Sequence, residues 1–195
     1  MLIVLTGKTA SGKDTIKNTL LSKYPDLLRV ITTTSRTPRK NEKNGTEYHF
    51  LSPEKFQEAI NEGKFIEYVN YGGNFYGTQK KDIENYLDRN LLWRIDPSRA
   101  GEAREFIKRA FAPEVAEKLI SQLIVIYITT SEEVILKRLK SRNLSDSEIE
   151  KRMTDDAQIW EKYQGDYDFV IDNVPGHLNE TFEKVIQIVE AEYNQ

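Results

Sequence analysis

The sequence carries a small set of side chains whose types and spacing suit the binding and transfer of phosphate. Gly7, four residues, Gly12 and Lys13 make a G-x-x-x-x-G-K pattern within Gly7-Lys8-Thr9-Ala10-Ser11-Gly12-Lys13-Asp14-Thr15. Two glycines let the backbone curl so that successive N–H groups face inward at phosphate oxygens. Lys13 puts an ammonium beside β- and γ-phosphates, and a helix starting there aims its positive end at them. Asp14 stands where a serine or threonine normally gives its hydroxyl to Mg²⁺. A carboxylate is a good hard-oxygen ligand, but it adds negative charge beside a triphosphate. Three outcomes stay open: Asp14 takes the metal, Thr15 takes it, or metal binding is weakened. The bland alternative is a glycine-rich strand–helix turn with no ligand. The apolar strand before the pattern and the helix after it argue against that.

Further basic and acidic groups fit the same chemistry. Arg36 and Arg39 bracket Pro38, whose stiff backbone holds them apart. They could clamp one phosphate from two sides, since guanidinium forks match phosphate oxygens. Ordinary surface charge on a solvated loop is the competing account. Arg138, Arg142 and Arg152 fall on two expected helices joined by a short turn, a natural flap. Over a phosphate loop such a flap would neutralise charge; otherwise it is a solvated helical hairpin. Asp96 ends an apolar strand, where α/β sheets place ligands and where an acid often holds Mg²⁺ through water. His49 and His177 are isolated and lack metal-ligand spacing, so neither is assigned a function.

These residues need elements to position them. Leu2–Leu5 reads as a buried parallel strand, and residues 15–24 have the amphipathic pattern of the helix after the loop. Tyr24-Pro25-Asp26 stops that helix. Leu28–Thr34 reads as one strand, rich in β-branched residues. Tyr48–Phe50 reads as a short strand. Ser52 and Pro53 then start a helix that ends at Gly63. Lys64–Val69 and Phe75–Thr78 read as a hairpin around Asn70–Asn74. Residues 30–78 thus form a small, partly antiparallel insert rich in tyrosine, arginine and hydroxyls, suited to a polar aromatic ligand. Gln79–Arg89 is expected to be helical, Asn90–Asp96 a buried strand, and Ala100–Ala110 and Pro113–Leu119 helices. Leu123–Ile128 is the clearest central strand. A helix through Leu139 follows, with Ser131 as its cap. Leu144–Glu148 is another cap-like stretch. Tyr167–Asn173 reads as the last strand and its exit, and Leu178–Tyr193 as a closing helix. Trp160, Tyr163 and Tyr167 read as packing residues.

Composition narrows the classes. At 195 residues one domain is expected, and 38% hydrophobic with 30% charged residues supply a core and a solvated surface. A net charge of −3 argues against a general nucleic-acid binder, though not against a local basic pocket. The absence of cysteine excludes disulfides, cysteine-ligated zinc and thiol catalysis, and is compatible with the cytosol. No apolar run approaches the roughly 20 residues of a membrane span. Leu2–Leu5 is too short for a signal-peptide core and leads straight into the loop.

Taken together, these features resemble guanylate kinase. The resemblance rests above all on Thr32-Thr-Thr-Ser-Arg36-Thr-Pro-Arg39, Asn44-Gly45-x-x-Tyr48-x-Phe50, Phe65-Ile-Glu67 and Gly73-Asn74-Phe75-Tyr76-Gly77-Thr78. It returns in Ile95-Asp96, Lys137-Arg138-Leu139, Ser141-Arg142, Lys151-Arg152 and Val170–Asn173, and is weak between 97 and 130. The resemblance implies an α/β phosphate-loop kinase. Its five-stranded parallel sheet has helices on both faces, with a small mixed α+β GMP-binding insert and a helical lid. On that pattern the core covers 1–30, 79–137 and 153–195, the GMP-binding subdomain 31–78 and the lid 138–152. The resemblance implies that Arg36, Arg39, Tyr48 and Tyr76 hold the GMP phosphate and that Thr32, Glu67, Thr78 and Asp96 read the guanine. It surrounds the transferring phosphoryl with Lys13, Arg138, Arg142 and Arg152, and brings Asn173 to the ATP base. Carboxylates suit guanine, whose N1–H and 2-amino group are both donors; adenine lacks that pair.

Three departures stand against the pattern. Asp14 is one. Arg94 stands where the family usually has an acid, and could alter metal handling or pair with Asp14. The segment after Asp96 lacks the usual Gln-Gly and is longer, by roughly ten residues on alignment by eye. The expected activity is ATP-dependent phosphorylation of GMP, with Mg²⁺, in the cytoplasm, by a monomer or homodimer that engages no nucleic acid and no membrane. Acceptance of dGMP is open. A kinase for a related phosphate ester and a non-catalytic scaffold of the same fold are the alternatives. Lys13→Ala separates enzyme from scaffold, since only the enzyme loses its activity.

Overall fold

The computed structural model describes residues 1–142 and 144–193. The uniformly apolar run at the start becomes β1 (Leu2–Gly7), buried along its whole length. The chain then gives α1 (Lys13–Lys23), β2 (Leu27–Arg29), β3 (Thr33–Thr34), β4 (His49–Phe50), α2 (Pro53–Asn61), β5 (Phe65–Tyr71) and β6 (Asn74–Gln79). Next come α3 (Lys81–Glu84), β7 (Asn90–Arg94), α4 (Pro97–Gly101), α5 (Ala103–Ala110), α6 (Pro113–Ser121) and β8 (Leu123–Thr129). Last come α7 (Glu132–Lys140), α8 (Asp146–Tyr163), β9 (Phe169–Asp172) and α9 (Leu178–Tyr193).

β1 is the middle strand of a five-stranded parallel sheet in the order β2-β7-β1-β8-β9. Side chains alternate between its faces, so each face has its own core. Leu2, Val4, Trp93, Val125 and Tyr127 pack on one side with residues of α4, α5 and α6. Ile3, Leu5, Leu92, Ile126 and Ile128 pack on the other with α1 and α9. Burial of each such side chain contributes about 1.5–3 kcal/mol. A second sheet, in the order β4-β3-β6-β5, lies to the side and has its own aromatic core of Phe56, Phe65 and Phe75. The stacked rings of Phe56 and Phe65 have centroids 4.4 Å apart.

The expected single strand Leu28–Thr34 is two. Val30 N–H still bonds Leu92 O in the parallel sheet, whereas Thr32 O accepts from His49 in the second one. The strand therefore changes sheets, and its continuous β-branched composition hides the break. Gln79–Arg89 is not one helix. Only Lys81–Glu84 is helical, and Tyr86 and Arg89 close tight turns by bonding three residues back. The segment 97–122 holds three helices rather than two. Ser52 caps α2 through its side chain with Pro53 behind it, and Ser145 with Glu148 forms a reciprocal capping box on α8. Ser131 sits at the N-cap of α7 without a side-chain bond. Trp160 and Tyr167 pack on Tyr127, at 5.1 and 4.6 Å between centroids, as packing residues should. Among the described residues no helix is long and apolar enough to cross a membrane.

Candidate active site

The turn between β1 and α1 lies at the carboxyl edge of the sheet. Gly7 has φ +145°, and a Cβ there would lie 2.0 Å from Ile128 O. Gly12 (φ +94°) is the N-cap of α1, and Ala10 between them also has a positive φ, 54°. A non-glycine residue in that region costs roughly 1–2 kcal/mol, so the surroundings must hold it. They do: Arg138 Nη1 donates to Ala10 O at 2.8 Å, and Asn173 Nδ2 donates to Ser11 O at 2.7 Å. Lys13 Nζ donates to Lys8 O at 2.8 Å. Burial, and then the nearby Arg94 charge, lower the Lys13 pKa to about 8. Asp14 Oδ1 lies 3.5 Å from both Lys17 Nζ and Arg94 Nε, the pairing with Arg94 that the sequence suggested. Partial burial works against ionisation of Asp14, but Arg94, Lys17 and Lys13 together hold its carboxyl below the usual range.

A cavity of about 610 Å³ opens from this loop toward the second sheet. It is lined also by Thr32, Tyr48, Glu67, Tyr76 and Asp96. Glu67 is 4% exposed and accepts a 2.6 Å hydrogen bond from Thr78 Oγ1, which itself accepts from Trp93 Nε1 at 2.8 Å. A bulge makes this geometry: Phe65 pairs with Gln79, but Glu67 pairs with Thr78. The irregularity re-aims the carboxylate at the hydroxyl. Burial raises the Glu67 pKa to about 7, against the bond from Thr78 and the charge of Arg99. Asp96 caps α4, with Oδ1 accepting from Ser98 N at 2.9 Å and Ser98 Oγ at 2.6 Å.

The basic residues divide. Arg142 and Arg152 line the cavity with Lys13 and Arg94. Arg36 and Arg39 are not among the lining residues. Arg36 Nη2 is forked onto both Glu42 oxygens at 2.9 Å, and its guanidinium lies 5.7 Å from the Tyr48 ring centroid. The Arg39 side chain is exposed, while its N–H donates to Glu42 Oε2 at 2.8 Å. Arg138 faces a neighbouring cavity of about 310 Å³, lined also by Ala10, Gly12, Thr15, Arg142 and Asn173. Asn173 is buried, and its backbone carbonyl accepts from Thr130 Oγ1 at 2.9 Å.

Sequence reasoning missed Asp156. Its Oδ2 accepts from Thr9 N in the phosphate loop at 2.7 Å, so a carboxylate of α8 sits on an anion-binding N–H. Burial raises its pKa against that bond and the Lys13 charge. Its one signal was its place four residues after Arg152, one helical turn along the same face. Trp93, Arg99 and Glu42 were missed too, because each acts on a partner that is distant or lies across a loop.

The family model and the sequence relatives point the same way. A family model described as guanylate kinase matches residues 1–192. The chain is 33% identical to a guanylate kinase of Trichormus variabilis over 190 residues, covering 97% of this chain and 87% of that one. It is 33% identical to a guanylate kinase of Synechocystis over 193 residues, covering 98% and 94%. The fold is similar to a guanylate kinase crystal structure from Anaplasma phagocytophilum, with TM-score 0.62, 23% identity, and 98% and 85% of the two chains covered.

Proposed function

Since this chain belongs to the guanylate kinase family, we propose that it carries out the family's reaction in the cavity between its two sheets. The enzyme is a nucleoside monophosphate kinase, which transfers the γ-phosphoryl of ATP to GMP and yields ADP and GDP. One observation carries the assignment of the site. The loop of Gly12 and Lys13 and the acceptor pair Glu67 and Asp96 line a single cavity, so phosphate and base recognition face the same space.

In the proposed arrangement Gly7–Thr15 cradle the ATP phosphates and Asn173 flanks the adenine side. Thr32, Glu67 and Asp96 read guanine, while Thr78, buried outside the cavity lining, orients the Glu67 carboxylate. Arg36, Arg39, Tyr48 and Tyr76 hold the GMP phosphate, with Glu42 in the fork that phosphate would take. A GMP phosphate oxygen attacks the γ-phosphorus in line as the bond to ADP breaks. The second ionisation of a phosphate monoester lies near pH 6, so no strong protein base is needed. Lys13, Arg138, Arg142 and Arg152 stabilise the transferring charge. Closure of the lid, 138–152, over the core and the 31–78 subdomain excludes water. Residue 143 of that lid lies outside the described residues.

Mg²⁺ fits this donor set in one way. Among the described residues no group of three or more acidic or histidine side chains could hold a metal alone. Asp14 presents one carboxylate beside the loop, and Mg²⁺ commonly takes one or two carboxylates with substrate phosphates. Bound there, it supplies neutralisation of phosphate charge. We place the enzyme in the cytoplasm, as a monomer or homodimer, without a nucleic-acid partner.

The test is coupled ADP production from ATP with GMP, dGMP, AMP, UMP and CMP in parallel. Turnover confined to GMP, or to GMP and dGMP, and lost in Lys13→Ala, is expected. Equal turnover with AMP would remove the Glu67–Asp96 assignment. No turnover with any acceptor would remove the kinase reading.

A further inference from the structure

We infer that Arg94 is a built-in cation of the phosphate site, which binds the ATP triphosphate directly and makes nucleotide binding only weakly dependent on a divalent metal. The inference rests on the nucleotide reading of the cavity and deepens it.

The strand register sets the position. Arg94 is the last residue of β7 and pairs with Leu5 of β1, two residues before Gly7. Its side chain therefore emerges at the carboxyl edge of the sheet beside the loop, and it lines the same cavity as Gly12 and Lys13. Its Nε–H is buried and makes no hydrogen bond, although Asp14 Oδ1 is 3.5 Å away. The contact with Asp14 is thus ionic and leaves the donors of a five-N–H fork largely unspent. Lys13 lines the same cavity, so two like charges face one space. Two cations therefore repel each other across a site built for an anion. A polyphosphate entering there relieves that repulsion and meets a planar fork matched to its oxygens.

Asp14 strengthens the case. Its carboxylate is already shared between Arg94 and Lys17, each at 3.5 Å. A metal bound by Asp14 must weaken those pairings, so its net contribution to nucleotide affinity shrinks. Arg94 remains at the site with or without the metal.

The experiment is equilibrium binding of ATP to the full chain, without GMP, in Mg²⁺ and in EDTA. Wild type, Arg94→Met and Asp14→Ser are compared, with thermal melts to verify folding. The wild-type Kd should change by less than about threefold between buffers. Loss of one charge-assisted contact should weaken Arg94→Met about tenfold in EDTA and less in Mg²⁺. Asp14→Ser should bind metal-free ATP about two- to fourfold more tightly, as a repelling charge is removed. A wild-type Kd that rises tenfold or more in EDTA overturns the inference and leaves the kinase reading intact. So does an Arg94→Met loss equal in both buffers, as a purely structural role would give. No ATP binding in either buffer overturns both.

Discussion

Replacing Glu67 with glutamine should remove the carboxyl's share of a pH dependence of GMP binding expected of the wild-type chain. The Glu67 carboxyl, 4% exposed, titrates at about 7, because burial outweighs the bond from Thr78 and the charge of Arg99. Guanine offers two N–H donors, so it binds the ionised form and pulls the pKa down. By linkage, apparent GMP affinity falls as pH drops below 7, about tenfold between pH 8 and pH 6. At pH 7 about half a proton should be released per GMP bound, a quantity that calorimetry in buffers of different ionisation enthalpy reads directly. The GMP phosphate also titrates, near pH 6, but equally for both proteins. The ratio of wild-type to Glu67→Gln affinity therefore isolates the carboxyl. The amide presents a donor where an acceptor is needed, so the variant should bind GMP at least about tenfold more weakly at pH 8. The same raised pKa governs the ligand-free fold with a definite sign. The folded chain holds the Glu67 proton more tightly than the unfolded chain does. Stability is thus fullest below the usual carboxyl value of 4.5 and falls by about 3 kcal/mol as pH rises through 7. A wild-type GMP affinity flat from pH 6 to 8, or a tenfold slope that persists in Glu67→Gln, would refute the reasoning.

Other perturbations reach other parts of the site. Asp156→Asn removes a negative charge from the N–H of Thr9, and should tighten ATP binding on the order of tenfold at low salt, measured by titration with a fluorescent ATP analogue. Thr78→Val keeps the shape but deprives both Glu67 and Trp93 Nε1 of their buried partner. It should cost about 2–4 kcal/mol in urea denaturation. Gly101→Ala would put a Cβ 2.5 Å from the Tyr163 ring, and should cost about 1–3 kcal/mol, lowering Tm by several degrees in calorimetry.

The sequence disclosed what is local. The loop from Gly7 to Lys13, the capping of α2 and α8 and the central strand β8 all follow from neighbouring residues, and all stand in the structure. What stayed hidden is decided by distant partners. Nothing in the run Leu28–Thr34 says that its first half joins β7 and its second half β6. The bulge that turns Glu67 toward Thr78 depends on the register of a hairpin. The contact of Asp156 with Thr9 spans 147 positions of sequence. Glu42 lies six residues from Arg36, yet only the loop's path brings the two together.

In the lining of the cavity, the Arg152 guanidinium of α8 lies over the Tyr71 ring of β5, 5.9 Å from its centroid. A partly exposed pair of this kind is worth about 0.5–1 kcal/mol, close to thermal energy. Such a clasp biases the cleft toward closure by only a few-fold. Ordinary fluctuation can part it, and a nucleotide need not wait on a rare event to enter or leave. A heavier clasp would trap product, and none at all would leave the transfer open to water. In the proposed reaction, ease of opening and exclusion of water would both draw on this weak contact between an arginine and a tyrosine.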